Sequence, residues 1–407
     1  MPKFPNVVAF LAISAALAGG AVPLATPAIA APAGGAGVTG LGVDRGAAAQ
    51  KSGPPITSPA ASDDQTAAAM LEYLRDLAAK KEFTGSVLAV RRGVVLARFA
   101  AGEADEENHI PNTPDTVYRI ASVTKQFTSM LVLKLRDRGL LGLNDPICPY
   151  LVPSYIKACP KAWRPITIRE IITHTSGIPD IQEQPDFFEK LSQPTTTRRL
   201  IQRFVHKPLD FKPGTCWKYS NSGYILAGAI IQDVTHKPYG TVLHKLITGP
   251  LQLRNTGYSR GNPPPVTRRA TSRSAHRPRP PAAPRRSPRP ASTPPSTTSS
   301  AGTGRSARTR SPPPHRQAGI HTPGGMPPSG CLNLPSTSYA FGWIVDRLEG
   351  HRLRYHPGLL QGYAASNMYL PDDDIEVAVL SNVENTNTNG IARTLATMAL
   401  DSSACAD

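Results

Sequence analysis

The second half of the chain contains a long tract that cannot join a packed core. Arginine and proline make up 27 of the 57 residues from 260 to 316, and serine, threonine and alanine make up most of the others. A segment with so few apolar side chains cannot bury enough surface to offset the conformational entropy that ordering would cost. Any compact fold must therefore be built from the sequence on either side of this low-complexity tract, which we place at 259–338.

The same tract holds most of the basic charge of the protein. The net charge is +16, and residues 260–316 contribute 13 arginines with no lysine and no acidic residue, which leaves +3 for the remainder. The charge balance therefore does not predict a basic folded surface. A polyanion-binding tract is one alternative, but it has no interleaved aromatic residues and matches no nucleic-acid-binding module, so we expect no nucleic-acid partner.

The N-terminus has the features of a cleavable secretory signal. Lys3 precedes an apolar run over 7–18, and Ala28-Ile29-Ala30 forms a small-residue cleavage site. The run is too short to span a bilayer, and no other stretch is long enough. We therefore predict a signal peptide at 1–30, a disordered linker at 31–62, and a periplasmic or secreted mature protein with no membrane span.

Export also bears on the five cysteines of the chain. Cys148 and Cys159 bracket a proline-rich loop, which an exported protein can hold closed with a disulfide. Because the number of cysteines is odd, at least one of them has no cysteine left in the chain with which to form a disulfide. No Cys/His spacing resembles a zinc site, and we predict neither a metal nor a cofactor.

The segments 63–258 and 339–403 have the periodicities of helices and of antiparallel strands. The β-rich runs lie at 85–91 and 94–102, around an Arg92-Gly93 turn, and at 341–348, 353–356, 363–370 and 375–380. Helical patterns lie at 63–81, from 122, from 168 to about 174, after 224, at 239–247 and at 391–400. These patterns predict a mixed α/β fold of the α+β type with an antiparallel sheet.

One of these helices opens with a serine and a lysine that lie one turn apart. Its apolar residues recur at helical spacing on one face: Val123, Phe127, Met130, Leu131 and Leu135. Ser122 and Lys125 then lie within mutual reach, and a desolvated lysine can take the proton of a serine hydroxyl. The helix N-terminus adds a free Ser122 N–H where an oxyanion would form. The spacing indicates a nucleophilic serine, with an N-cap serine beside a solvated lysine as the structural alternative.

A spacing this short also arises by chance in a chain of this length. Ser154 and Lys157 form a second Ser-x-x-Lys pair, which follows a proline and lacks the strand-to-helix context. We interpret that second pair as coincidental.

Tyr219-Ser220-Asn221 is the only Tyr-x-Asn sequence in the chain, and it lies on a loop between a turn and a helix. A lysine ammonium beside a tyrosine favours the phenolate. Tyr219 could then act as a general base toward Ser122 and as an acid toward the leaving group. Asn221 offers an amide that can orient a substrate carbonyl or the lysine. A turn tyrosine with an asparagine cap is the structural alternative.

His356-Pro357-Gly358-Leu359 is the only His-x-Gly sequence, and it falls just before the predicted strand at 363–370. The glycine would let a substrate backbone lie close, and the Leu359 N–H could be a second oxyanion donor. A partly exposed structural histidine is the alternative for His356.

With all three motifs in order, residues 118–128, 166–178, 213–224 and 339–382 resemble the serine β-lactamase and penicillin-binding protein superfamily. The resemblance is strongest to its class C β-lactamase, DD-peptidase, D-aminopeptidase and esterase branch, and it covers about 70–258 and 339–400. It implies an antiparallel sheet flanked by helices plus an all-helical region, with the site between them. It also implies that Ser122 is acylated, that Lys125 and Tyr219 are its proton partners, and that Asn221, His356, Gly358 and Leu359 bind a small-molecule or peptide substrate.

The sequence departs from the family pattern in two places. The third motif begins with His356, where β-lactamases have a lysine that pairs with the carboxylate of the drug. Because histidine is mostly neutral at pH 7, this favours a peptidase, amidase or esterase over a β-lactamase. The second departure is the tract at 259–338, which stands where the family has strands and a helix. We interpret it as a replacement of those elements. The simplest cause is a pair of compensating frameshifts in a GC-rich gene.

These features together predict an exported serine hydrolase that acts through an acyl-enzyme on esters or amides, including D-amino-acid peptides. A catalytically impaired or non-catalytic penicillin-binding-like protein is the alternative.

Overall fold

The computed structural model describes residues 61–190, 193, 195–258 and 338–401. The predicted signal peptide, nearly all of the predicted linker, and the arginine- and proline-rich tract up to residue 337 lie outside the described residues. The fold described below is therefore that of the two segments on either side of the tract.

A seven-stranded antiparallel sheet forms the centre of the described part of the chain. In chain order, the strands are β1 (Gly85–Arg91), β2 (Val94–Ala101), β3 (Glu103–Asp105), β4 (Ile110–Pro111), β5 (Ser338–Ala340), β6 (Trp343–Leu348), β7 (His351–Leu360), β8 (Tyr363–Leu370) and β9 (Ile375–Ser381). The sheet order is β2-β1-β9-β8-β7-β6-β5, and β3 and β4 form a separate small ribbon. The predicted antiparallel sheet is confirmed.

The pairing of β1 with β9 joins the two segments within this sheet. Ser86 lies opposite Leu380 and Arg91 lies opposite Ile375, in antiparallel register. Every residue of both strands is buried. A strand covered on both faces favours apolar side chains at most positions, and apolar residues predominate in both runs.

The helices cover the two faces of the sheet. In chain order they are α1 (Ala61–Ala79), α2 (Thr124–Arg136), α3 (Cys148–Leu151), α4 (Ile168–Thr173), α5 (Phe187–Lys190), α6 (Thr197–Gln202), α7 (Asn221–Thr235), α8 (Tyr239–Leu243) and α9 (Thr388–Asp401). The first and last helices share one apolar core with one face of the sheet. Helices α2 to α8 except α5 share a second core, so the sheet is flanked by helices and extended by a helical region.

Two details of the C-terminal segment differ from the sequence prediction. A strand was predicted to begin at Phe341, but Phe341 and Gly342 form a two-residue turn between β5 and β6, with φ values of 48° and 87°. A side chain on Gly342 would come within 2.6 Å of the Lys125 carbonyl oxygen, so this turn packs directly on α2.

The second difference is the length of β7, which continues through Pro357 to Leu360 instead of ending at His356. Pairing of β7 with β6 extends only to Tyr355, whereas its pairing with β8 continues to Leu360. The last residues of β7 therefore have no strand partner on the β6 side among the described residues. A proline, which has no N–H to donate, is compatible with a strand at such an open edge.

The predicted proline-rich loop is closed by a disulfide between Cys148 and Cys159, whose Cα atoms are 5.6 Å apart. Among the described residues, no helix is both long enough and apolar enough to cross a membrane.

We predict that the core beneath α9 holds the C-terminal segment in place. Leu395 is fully buried against the sheet, so Leu395→Ala should lower the free energy of unfolding by about 2–5 kcal/mol in urea titration. Leu140→Ala is the matched control, because Leu140 is 46% exposed, and it should change stability by less than about 0.5 kcal/mol. Equal effects of the two substitutions would contradict this packing.

Candidate active site

Ser122 lies in a short 3₁₀ turn, Ala121–Val123, that runs directly into α2. Ala121 has a φ of 46°, a left-handed conformation that is uncommon for a residue other than glycine. Such strain is typical of residues that position reacting groups. The hydroxyl of Ser122 does not cap the helix, since α2 has no side-chain cap. The alternative of an N-cap serine is therefore wrong.

The turn before Ser122 packs against β7 where Gly358 lies. A side chain on Gly358 would approach the Ile120 carbonyl oxygen to 2.4 Å. The sequence predicts that this glycine lets a substrate backbone lie close. In the structure, the backbone just before the nucleophile Ser122 fills the space beside Gly358. Gly358 therefore positions the Ser122 turn on the sheet.

Lys125 is buried beside Ser122, with only 6% of the residue exposed, so the alternative of a solvated lysine is wrong. Its ammonium nitrogen is 3.3 Å from Ser122 Oγ and donates a hydrogen bond of 2.8 Å to Asn221 Oδ1. It also lies 4.6 Å from the ring centroid of Tyr219 and 5.4 Å from that of Tyr224. These aromatic faces stabilise a cation that has little contact with water.

Tyr219 joins this pair from the loop before α7. Its phenolic oxygen donates a hydrogen bond of 2.8 Å to Ser122 Oγ, across 97 residues of sequence. The structure therefore brings together the three residues that the first two motifs predict to be catalytic. A proton can pass directly between the phenol and the serine oxygen at this distance.

Asp180 fixes the orientation of Asn221, and the sequence analysis did not identify it. The Asn221 side-chain nitrogen donates to Asp180 Oδ2 at 2.9 Å, and the Asn221 backbone N–H donates to Asp180 Oδ1 at 3.1 Å. The amide oxygen of Asn221 is thereby directed to Lys125. Burial raises the pKa of Asp180, and Lys125 and these hydrogen bonds lower it. Asp180 also caps a short turn, a pattern visible in sequence that does not reveal the contact with Asn221.

His174 is a second site residue that the sequence analysis did not single out. It ends α4 in the left-handed conformation with a φ of 63°, and its carbonyl oxygen accepts from the Lys218 N–H at 3.0 Å. Its Nδ1 accepts from the Ser220 N–H at 3.1 Å, and its ring centroid is 4.4 Å from that of Tyr219. His174 therefore holds the backbone on both sides of Tyr219 and supports the phenol ring.

The hydrogen bond at Nδ1 also defines the protonation of His174. Burial, reinforced by the charge of Lys125, holds the pKa of His174 well below its usual value. A neutral ring that accepts at Nδ1 carries its proton on Nε2, which has no hydrogen-bond partner among the described residues.

His356 lies beneath the site instead of facing substrate. Only 2% of the residue is exposed, and burial together with the Lys125 charge lowers its pKa to about 3. Its Nδ1 is 2.6 Å from the Pro357 carbonyl oxygen, and its Nε2 is 3.1 Å from the Tyr339 hydroxyl. Because a carbonyl only accepts, Nδ1 carries the proton and Tyr339 donates to Nε2. The alternative of a partly exposed histidine is therefore wrong, and both ring nitrogens of His356 have hydrogen-bond partners within the protein.

Leu359, in contrast, is 63% exposed and lines the same cavity as Ser122. Antiparallel strands alternate between hydrogen-bonded and non-hydrogen-bonded pairs, and Pro357, opposite Ser366, has no N–H for a bonded pair. Leu359 lies two residues further along β7, so it also belongs to a pair that is not hydrogen-bonded to β8. Its N–H therefore points away from β8, toward the open edge of β7 where Ser122 lies.

The cavity that opens at Ser122 has a volume of about 480 Å³. Its lining comes from α2, α7, the segment around α5 and α6, and the end of β7. Neither Tyr219 nor His356 is among the described residues that line it. The site thus has a polar side, which contains Tyr219 and the two histidines, and an open side, which contains the cavity.

We predict that the buried neutral histidines make the fold sensitive to acid. In the unfolded chain, His356 takes up a proton near pH 6.5, whereas in the folded site its pKa is about 3. Between these values the unfolded state binds more protons, so the free energy of unfolding falls as pH decreases. The slope from one such histidine is at most about 1.4 kcal/mol per pH unit.

The test is urea unfolding between neutral pH and about pH 4, comparing wild type with His356→Gln. The variant should show a shallower decrease, by about the contribution of one proton. His206→Gln is the control, because His206 is exposed, and it should keep the wild-type slope. Equal slopes in all three proteins would show that His356 is not buried in its neutral form.

Comparison with known proteins identifies the family to which the chain belongs. A family model described as Beta-lactamase matches residues 70–401. The chain is 34% identical over 178 residues to Protein flp of Staphylococcus aureus strain MW2, which covers 44% of this chain and 35% of flp. It is 32% identical over 213 residues to Esterase EstB of Burkholderia gladioli, which covers 49% of this chain and 54% of EstB. The matches thus span about a third to a half of the length of these relatives.

Solved structures show the same fold. The D-amino acid amidase from Ochrobactrum anthropi SV3 superposes with a TM-score of 0.61 over 83% of this chain and 99% of the amidase, at 18% sequence identity. At that identity the likeness concerns the fold alone. The family match, in contrast, covers most of the chain and includes all three motifs in order, and the chain therefore belongs to the β-lactamase family.

Proposed function

We propose that the protein is a serine hydrolase that forms an acyl-enzyme at Ser122 with ester or amide substrates. The observation that carries this proposal is the set of contacts at Ser122 Oγ, with the Tyr219 hydroxyl at 2.8 Å and the Lys125 ammonium at 3.3 Å. A hydroxyl nucleophile within reach of a base and a cation is the arrangement that acyl transfer requires.

The first half of the reaction would transfer the acyl group to Ser122. Tyr219 first releases to solvent the proton with which it hydrogen-bonds Ser122 Oγ in the resting site. The resulting phenolate, stabilised by the Lys125 ammonium, then takes the proton of Ser122 Oγ. Oγ attacks the substrate carbonyl carbon, and the resulting oxyanion lies between the N–H groups of Ser122 and Leu359. When the carbonyl re-forms, the bond to the leaving group breaks, and Tyr219 returns the proton to the departing alcohol or amine.

The second half would release the acyl group by hydrolysis. A water molecule attacks the acyl carbon while Tyr219 takes one of its protons. The bond to Ser122 Oγ then breaks, and Tyr219 gives that proton back to Oγ as the carboxylic acid leaves. Each group returns to its starting protonation, so Tyr219 serves as base and acid in both halves.

Several observations favour esters or amides over β-lactams as substrates. The third motif places a buried neutral histidine where β-lactamases have a lysine cation, and Tyr339 already occupies its Nε2. No permanent charge from this motif is then available to a carboxylate on the substrate. The name of Esterase EstB, a relative with 32% identity over 213 residues, supports the ester class.

We also propose that the protein acts in the periplasm or the medium. The predicted signal peptide at 1–30 supports export. The disulfide between Cys148 and Cys159 supports it as well, because structural disulfides form in oxidising compartments.

Labelling with a fluorophosphonate tests the nucleophile. Wild type should be labelled and should hydrolyse p-nitrophenyl acetate, whereas Ser122→Ala should lose the label and almost all turnover. Ser154→Ala is the matched control, because Ser154 belongs to the second Ser-x-x-Lys pair, and both Ser154 and Lys157 are exposed. Folded wild type that binds a labelled penicillin without any turnover would instead favour a non-catalytic penicillin-binding-like protein.

The proton-transfer role is tested by Tyr219→Phe, which removes only the phenolic oxygen. We expect kcat for p-nitrophenyl acetate to fall by about 10²–10⁴-fold, the usual contribution of a general base. Tyr73→Phe on α1 is the control, since Tyr73 packs in the core on the other face of the sheet, and it should keep wild-type activity. A Tyr219→Phe variant with unchanged kcat would exclude this base.

A further inference from the structure

The cavity extends from Ser122 along a groove between α2 and α7. The residues of α2 and its leading turn that line it follow one helix face: Ala121, Ser122, Thr124, Lys125 and Thr128. Those of α7 also lie one turn apart: Asn221, Tyr224, Ile225, Gly228 and Gln232. The first series includes Ser122, and the second begins at Asn221, which accepts a hydrogen bond from Lys125. With a rise of 1.5 Å per residue, the seven residues from Asn221 to Gly228 correspond to a groove of roughly 10 Å.

The groove leads away from the side of the site on which Tyr219 lies. Tyr219 contacts Ser122 Oγ but is not among the described residues that line the cavity. In the proposed mechanism Tyr219 returns a proton to the leaving group, so the leaving group must lie on the Tyr219 side. The acyl part of the substrate then lies on the opposite side, in the groove.

The cavity as a whole presents more apolar than polar surface. Leu200, Ile225 and Tyr258 contribute to its apolar part. Two of the polar side chains in the lining, Tyr239 and Gln232, are hydrogen-bonded within the protein. The Tyr239 hydroxyl is 2.8 Å from Thr128 Oγ1, and the side-chain oxygen of Gln232 accepts from the Tyr239 N–H at 3.4 Å. These groups keep their hydrogen bonds within the protein when an alkyl chain covers them.

The charges around the groove also restrict the acyl group. No residue with a carboxylate is among the described residues that line it, whereas Lys125, Lys190 and Arg203 are. Lys190 and Arg203 are both already paired with Asp186. An acyl group with a free ammonium would therefore lose its contact with water there without gaining a carboxylate partner from the described lining. A neutral apolar acyl chain has no such penalty, and it gains by burying its surface.

Gly228 lies in the floor of the groove, within α7. A Cβ at this position would have no heavy atom within 4 Å. By contrast, one at Gly223 on the same helix would meet the Ile171 carbonyl oxygen at 2.6 Å. Glycine in a helix interior is destabilising relative to alanine, and at Gly228 no close packing requires it. The empty space above Gly228 belongs to the cavity.

We propose that this groove binds the neutral, medium-length alkyl chain of an acyl ester, and that Gly228 determines how long a chain it admits. The proposal deepens the proposed function and rests on it. A larger side chain at 228 would project into the groove about 10 Å from its start, where it blocks a long acyl chain but leaves room for a short one.

The test is a series of p-nitrophenyl esters that differ only in the acyl chain, from acetate through butyrate to octanoate. Wild type should show a higher kcat/KM for octanoate than for acetate. Gly228→Leu should lower the octanoate-to-acetate ratio by at least about tenfold, the usual effect of a changed fit in an apolar pocket. Gly228→Ala adds a single methyl group, and as the matched control it should move the ratio much less.

Separate outcomes distinguish failure of this inference from failure of the proposed function. Turnover that depends on Ser122, with a ratio that Gly228→Leu leaves unchanged, would overturn the acyl groove alone. Turnover that Ser122→Ala leaves intact would overturn the proposed function and with it the groove. The circular dichroism spectrum and thermal midpoint of each variant establish that it is folded. Labelling rates with a long-chain and a short-chain alkyl fluorophosphonate provide a second measure of chain-length preference. This measure does not depend on deacylation.

Discussion

The buried ammonium of Lys125 is the constraint on which the arrangement of the site depends. A charge removed from water is costly unless other groups compensate it. Here the compensation comes from Asn221 Oδ1, from Ser122 Oγ and from the faces of two tyrosines. Each of these contacts fixes a part of the site. The lysine thus organises the residues that surround it as much as it assists the serine.

The same constraint extends outward through Asn221 to Asp180. The amide of Asn221 accepts from the lysine with its oxygen and donates to the carboxylate with its nitrogen. Asn221 therefore connects the Asp180 carboxylate to the Lys125 ammonium through two hydrogen bonds. On the other side of the site, burial lowers the pKa of both His174 and His356, and the charge of Lys125 lowers it further. Those rings stay neutral and act as fixed hydrogen-bonding groups beside and beneath Tyr219.

The sequence predicts the parts of this arrangement that depend on local spacing. Ser122 and Lys125 lie one helical turn apart, and the Tyr219 loop directly precedes a helix, so short patterns reveal them. Asp180 and His174 act through contacts with residues about 40 positions away, which no local pattern reports. The place of His356 was predicted only in part, because its burial depends on Tyr339, which reaches it from another strand. The turn at Phe341 was not predicted because Phe341 is a typical strand residue. Its left-handed conformation is the one that a two-residue hairpin turn between Ala340 and Trp343 requires.

The antiparallel pairing of β1 with β9 has a consequence for how the chain reaches its fold. The paired residues are almost 300 positions apart in sequence, so the ladder that joins the two segments of the sheet cannot form until nearly all of the protein has been synthesised. Folds dominated by such distant contacts form slowly, because a long loop must close first. Until then the apolar strand at 85–91 has an unpaired edge, a state in which strands from different molecules associate.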